Sequence, residues 1–264
     1  MTPDQYWLAP LVLLAALALD LAVGALPPWR ALADCPDRLI SGLCGWLARK
    51  LDRPARGLAA LRWRGAIVSL SLLAIGGVAG WAAQAILVPL TGVTAATFLL
   101  VLPVLRPRRA LDALRGGGTR PTATGWTVLV ENTLGGVFWF SILGAPGLYA
   151  AATVFAAARA LADGGSDKNA FGFIPSRLAD VLALFPSLLA WPLAAAAAIF
   201  VPGANPGAAL SAGLSGWYRP GFRQTEVFLA ALGVAGVARG RWLVSLILLL
   251  MMAGLAGLSL ALHG

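Results

Sequence analysis

Histidine is nearly absent from this chain: His263, next to the last residue given, is the single one. It is a poor candidate for catalysis, and no Ser/His or Cys/His arrangement supports one. Cysteine is also scarce. Cys35 and Cys44 form no metal motif, and a disulfide is not expected in a basic, cytoplasm-facing loop. Charge is thin: 12% of the 264 residues are charged, against about a quarter in soluble domains. Period-two alternation is missing, so strands are not expected. The triple glycine of "RGGGTRPT" is not followed by the Gly-Lys-Ser/Thr of a phosphate loop, and reads as a flexible connection. No basic stripe interleaved with aromatics is present, so the net charge of +9 does not point to nucleic acid. No internal repeat is visible, so an inverted-repeat transporter has no positive support.

What is present is apolar. Hydrophobic residues make up 59% of the chain, and its mean hydropathy is +0.81. Several runs reach the ~18–20 residues that cross a bilayer. Helices satisfy their own backbone groups in lipid, and the many Gly and Ala residues suit close helix packing there. The expectation is one all-α, polytopic membrane bundle over 1–264, with five or six spans and interfacial or re-entrant helices. The spans fall at about 6–27, 66–83, 87–105, 127–158, 178–201 and 243–262. A short apolar segment lies at 227–238. The run at 6–27 lacks the basic start of a signal peptide and reads as a retained span.

Two basic loops, 28–65 and 106–125, separate these runs. Positive charge favours the cytoplasmic side, which places both loops there and the N-terminus outside. Within the first, "RLISGLCGWLARK" puts Leu39, Leu43, Trp46 and Leu47 on one helical face. Such a helix either lies on the membrane surface or packs against the spans. Residues 66–105 suffice for two spans that turn near Pro89 to Gly92. The stretch from Trp126 to Ala158 is too long for one simple span, so it is tilted with an extended end, or broken or re-entrant. Simple alternation puts 159–177 outside; a re-entrant 127–140 returns it to the cytoplasm.

Ionisable residues inside spans mark functional sites by default. Asp20, Glu131 with Asn132, and Arg177 with Asp180 qualify. Arg177 and Asp180 are three apart and can pair on one face, at what reads as a helix start that favours the carboxylate. That pair is structural or part of a ligand site. Asp20 either caps its span or joins the site. Glu131 is flanked by apolar residues and needs a partner, a proton or a metal. Carboxylates converging with an arginine would suit Mg²⁺ and phosphate.

The order of these segments resembles the CobD/CbiB family of cobalamin biosynthesis, the adenosylcobinamide-phosphate synthases. "LALDLAVGALP", then "CPDRLISGLCGWLARKLDRP", "VENTLGG" and "FGFIPSRLADVLALFPSLL" match that family's motifs in sequence over residues 10 to 200. Asp20, Arg38, Glu131, Asn132, Phe171, Gly172, Arg177, Asp180 and Pro186 stand at matching positions. Family aspartates are replaced at Ala25, Gly135 and Ala179, the family histidine is Cys35, and the central soluble segment is shortened to "RGGGTRPT".

The resemblance implies an amide ligase of the inner membrane, dependent on ATP and Mg²⁺, joining aminopropanol or its phosphate to adenosylcobyric acid. It implies Glu131 and Asp180 as catalytic residues, and Arg177, Asn132, Arg38 and Asp20 as substrate- or phosphate-binding residues. A corrinoid and other cobalamin-biosynthesis membrane proteins are the implied partners. The departures allow an alternative: a family relative without ligase activity that binds corrinoid or signals, like the AmpE-type relatives.

Overall fold

The computed structural model describes residues 3–24, 26, 34–51, 57–114, 121–162, 170–216, 230–232 and 239–263. In chain order the helices are α1 (Pro3–Val23), α2 (Cys35–Leu51), α3 (Leu58–Thr91), α4 (Val93–Val101), α5 (Pro107–Ala113) and α6 (Pro121–Val128). A π-helical turn, Leu129–Leu134, follows. Then come α7 (Gly135–Ala162), α8 (Ala170–Ile199), α9 (Pro206–Gly216) and α10 (Gly240–His263). Among the described residues there is no strand. Among the described residues, four segments are long and apolar enough to cross a membrane: Leu58–Thr91, Gly125–Leu161, Phe171–Ile199 and Gly240–Ala261. The apolar part of α1, Pro10–Val23, is shorter.

The chain forms two compact units. One comprises Leu26–Val104 and Gly135–Leu184, and its centre is α3. The buried face of α3 carries Leu61, Gly65, Val68, Ser69, Leu72, Gly76 and Gly80, a seam of small and apolar residues at helical spacing. α7 packs along that seam. A Cβ at Gly76 would meet Thr153 and the Tyr149 carbonyl, and one at Gly80 would lie 2.6 Å from the Ala145 carbonyl oxygen. A Cβ at Gly65 would strike the Phe171 carbonyl. Glycine here permits backbone-to-backbone approach, the mode of packing that holds helices together in lipid.

Breaks in this unit are repaired by side chains. Gly92, at φ 80°, ends α3, and the nine-residue α4 packs back on it. The Tyr149 hydroxyl donates to the Leu100 carbonyl at 3.0 Å, one of the last carbonyls of α4, which lack helical partners. Pro186 cannot donate to Leu182, four residues earlier. The Trp139 indole N–H donates to the Leu182 carbonyl instead, at 3.1 Å. α7 is broken at Gly144, φ 66° and ψ −153°, so the long run from Trp126 is a broken helix, one of the two readings its length allowed.

Several sequence boundaries are corrected here. The two spans expected at 66–83 and 87–105 are one long helix and one short one. The turn is where Pro89 to Gly92 predicted it, but α4 rises only about 14 Å, less than half of a ~30 Å hydrocarbon core. α3 begins at Leu58, so Arg62 and Arg64 belong to a helix and not to a loop. The second basic loop contains α5 and the start of α6; the triple glycine lies outside the described residues. α8 begins at Ala170, so Asp180 is well inside it and the expected helix-start stabilisation does not apply. The segment 227–238 is described only at 230–232.

Within this unit the C-terminal end of α7 comes back to where α3 begins. Ala157 and Leu161 share a core with Cys44, Val68, Leu72 and Phe171, and Arg159 lies 3.9 Å from Asp37. Residues 159–162 and 170–177 are therefore on the side of the first basic loop, not opposite it. α2 does pack against α7, through Ile40, Cys44, Leu47, Ala48 and Leu51. Leu39, Leu43 and Trp46 face away and are exposed, so Leu47 does not share their face as expected. Arg64 donates to the Leu51 carbonyl at the end of α2, 3.1 Å.

Both thiols are free, Cys35 exposed and Cys44 buried. Burial pushes the Cys44 thiol above its ordinary value, which lowers its thiolate fraction at neutral pH. Maleimide should therefore label native wild-type protein at Cys35 alone through pH 8.5, and both thiols after denaturation. Native Cys35→Ser protein labelling as fast as wild type would contradict this burial.

The other unit comprises Met1–Ala25, Leu105–Leu134 and Phe185–Gly264. α1 packs on α10, and α5 packs on α1, α6, α10 and the π-helical turn. Asn205 caps α9 by accepting from the Ala208 N–H at 2.9 Å, with its own N–H on the Ala231 carbonyl. Trp191 lies against Gly213, where a Cβ would overlap its ring.

Candidate functional site

The expected site residues fall in different units. Asp20, Glu131 and Asn132 belong to the unit that includes α1 and α10; Arg38, Arg177 and Asp180 belong to the unit centred on α3. Each group is described with its own surroundings.

Asp20 is buried, at 3% exposure, in the last turn of α1. Its Oδ2 accepts the Arg108 backbone N–H at 3.0 Å. That N–H is in the first turn of α5, where helical donors have no partner within the helix. Arg108 returns the contact: its Nη1 donates to the Leu21 carbonyl at 3.2 Å, near the C-terminus of α1, and its Nε lies 3.6 Å from Asp112. The end of α1 and the start of α5 thus cap each other, with charge signs that suit both helix ends. Gly24 closes this clasp: a Cβ there would sit 2.9 Å from Asp20 Oδ1 and 3.1 Å from Arg108 Cβ. Arg106, just before α5, is buried as well.

Glu131 and Asn132 lie in the π-helical turn Leu129–Leu134, with Asn132 and Thr133 buried and Glu131 half-buried. π-helical turns widen the backbone and concentrate at functional sites. Thr133 is fully buried, and its hydroxyl has no hydrogen-bond partner. A buried, unpartnered hydroxyl costs free energy and marks a place where a ligand or water would be held. Glu131 and Asn132 already make interactions of their own, whereas the Thr133 hydroxyl makes none. Sequence reasoning missed Thr133, Arg106 and Arg108. Arg106 and Arg108 sat in an apparent loop, and Thr133 carries no charge to draw the eye.

Arg177 and Asp180 form an exposed pair, 3.6 Å apart. The Arg177 guanidinium also lies over Phe173, 5.3 Å from the ring centre. The Arg62 guanidinium lies 5.1 Å from the same ring. Arg38 is near the start of α2, where its Nε donates to the Asp34 carbonyl at 3.4 Å. Among the described residues, no three His, Cys, Asp or Glu side chains group as a metal site. Glu131 is half-buried in its turn and already engaged in interactions there.

The fold and these buried polar groups define an all-α, multi-pass membrane protein with a π-helical polar turn. Compared with family models, with curated proteins and with solved structures, the chain matches none.

Proposed function

We propose that this chain is an inner-membrane relative of the adenosylcobinamide-phosphate synthases, with its chemistry at Glu131, Asn132 and Thr133. The support is the motif order in the sequence together with one observation, the buried Thr133 hydroxyl without a partner in the π-helical turn that also carries Glu131. In this reading the γ-phosphoryl group of ATP would pass to a corrinoid carboxylate with release of ADP, and the amine of an aminopropanol would then displace phosphate from the acyl carbon and lose a proton to give the amide. The metal and nucleotide would supply the phosphate and neutralise its charge. Glu131 would face the nucleotide-bound Mg²⁺, and Asn132 and Thr133 would orient the substrate by hydrogen bonds. Other cobalamin-biosynthesis membrane proteins would be its partners.

A second reading is a corrinoid-binding or signalling relative without ligase activity. It is favoured by the occupation of Asp20, whose carboxylate caps α5, and by the exposed, ion-paired state of Asp180. The experiment is complementation of a bacterial strain lacking its cobinamide synthase. Under the ligase reading, wild type restores growth, whereas Glu131→Gln, expressed to the same level in the membrane, does not. Failure of well-expressed wild type would sink the ligase reading, and corrinoid binding by the purified protein would then test the second.

A further inference from the structure

The end of the α3-centred unit where α3 and α8 begin is basic and only partly covered by protein. Arg49, Lys50, Arg62, Arg64, Arg159 and Arg177 lie on the helix segments that meet there. Leu39, Leu43 and Trp46 form an exposed stripe on α2, and the Lys50 ammonium sits 4.4 Å from the Trp46 ring centre. Trp63, one residue from Arg62, is 73% exposed. Tryptophan and long cations together mark the level of lipid headgroups. By the excess of Lys and Arg, this end faces the cytoplasmic leaflet, which carries anionic lipids.

We propose that Arg62, Phe173 and Arg177 form a binding site for the phosphate of an anionic phospholipid headgroup in that leaflet. Both guanidinium carbons lie over the exposed ring of Phe173, 5.1 and 5.3 Å from its centre. This cation–π contact draws both side chains to one place and leaves N–H groups for an oxyanion. Among the described residues, Arg62 makes no ion pair beyond this contact. Arg177 has only an exposed partner in Asp180, a pairing of small worth that a bidentate phosphate contact would outweigh. Gly65 lies against the Phe171 backbone, where an added Cβ would strike the Phe171 carbonyl, so α3 and α8 touch next to the two arginines. Charge complementarity and the headgroup-level position name the occupant: a lipid, seated beside the apolar stripe of α2.

The test is native mass spectrometry of the full chain released from micelles containing equal amounts of phosphatidylglycerol and phosphatidylcholine. Wild type is expected to retain phosphatidylglycerol preferentially. The Arg62→Gln/Arg177→Gln double variant should lose more than about thirtyfold in that retention, the weight of two surface cations with the bidentate contacts of the forks added. Phe173→Leu should lose part of it, and Arg241→Gln, in the other unit, none. Unchanged retention in the double variant would overturn the site. Displacement of phosphatidylglycerol from wild type by millimolar inorganic phosphate would overturn the lipid assignment in favour of a water-soluble phosphate. Should the double variant melt early, Arg62→Lys/Arg177→Lys is read in its place. It keeps both charges but loses the forks, and retention equal to wild type would again refute the proposal.

Discussion

Gly80→Leu is expected to destabilise the protein by about 3 kcal/mol, the upper part of the usual range for overpacking a tight core. The added side chain would begin 2.6 Å from the Ala145 carbonyl oxygen and 3.0 Å from the Pro146 Cα. Those are backbone atoms and cannot rotate away. Leucine is a better helix former than glycine by close to 1 kcal/mol, so α3 alone would gain from the change. A loss of stability therefore reports packing against α7 and nothing intrinsic to α3. Ala79→Leu, one position away on an exposed face, provides the control and should be near neutral. Thermal unfolding of both variants in the same detergent checks this; equal melting temperatures would contradict the packing of α3 on α7.

This seam illustrates what the sequence could and could not convey. Apolar runs and glycine content were enough to indicate helices in lipid and close packing between them. They did not say which glycine meets which backbone, because that depends on a partner helix far away in sequence. Hydropathy also misled where it counts charges as loop. Arg62 and Arg64 lie in the first turns of α3, since long cationic side chains can reach the headgroups from a helix end. The span expected to begin at 178 starts earlier, at Ala170, with Pro175 inside the helix five residues after its start.

The polar residues were legible as positions but not as an assembly. Glu131 with Asn132 stood out because charge within an apolar run is rare, and the excess length of that run was a hint of irregular helix. The π-helical turn itself and the open hydroxyl of Thr133 have no sequence signature. The pair Arg177 and Asp180 was found from its i,i+3 spacing, and it forms. Its grouping with Glu131 was an inference from shared rarity, and the two sets belong to separate compact units.

Asp20 separates a structural role from a chemical one by experiment. Asp20→Ala is expected to cost about 2–3 kcal/mol, because it removes a charge-assisted hydrogen bond and leaves the Arg108 N–H without its acceptor. Asp20→Asn retains an oxygen that can accept from that N–H, and asparagine caps helices as well as aspartate does. Its expected cost is about 1 kcal/mol, mainly the lost attraction between the carboxylate and the N-terminus of α5. The order wild type, Asn, Ala should therefore appear in thermal unfolding, and any activity should follow that order. A carboxylate used in phosphate or metal chemistry would behave differently. The Asn variant would then be as stable as wild type yet inactive, since a carboxamide carries no charge for a cation. The clasp also predicts coupling. Arg108→Ala removes the bond to the Leu21 carbonyl from the other side, and combining it with Asp20→Ala should cost less than the two singles added together. Full additivity, or two neutral Asp20 variants, would show that the mutual capping of α1 and α5 contributes little to stability.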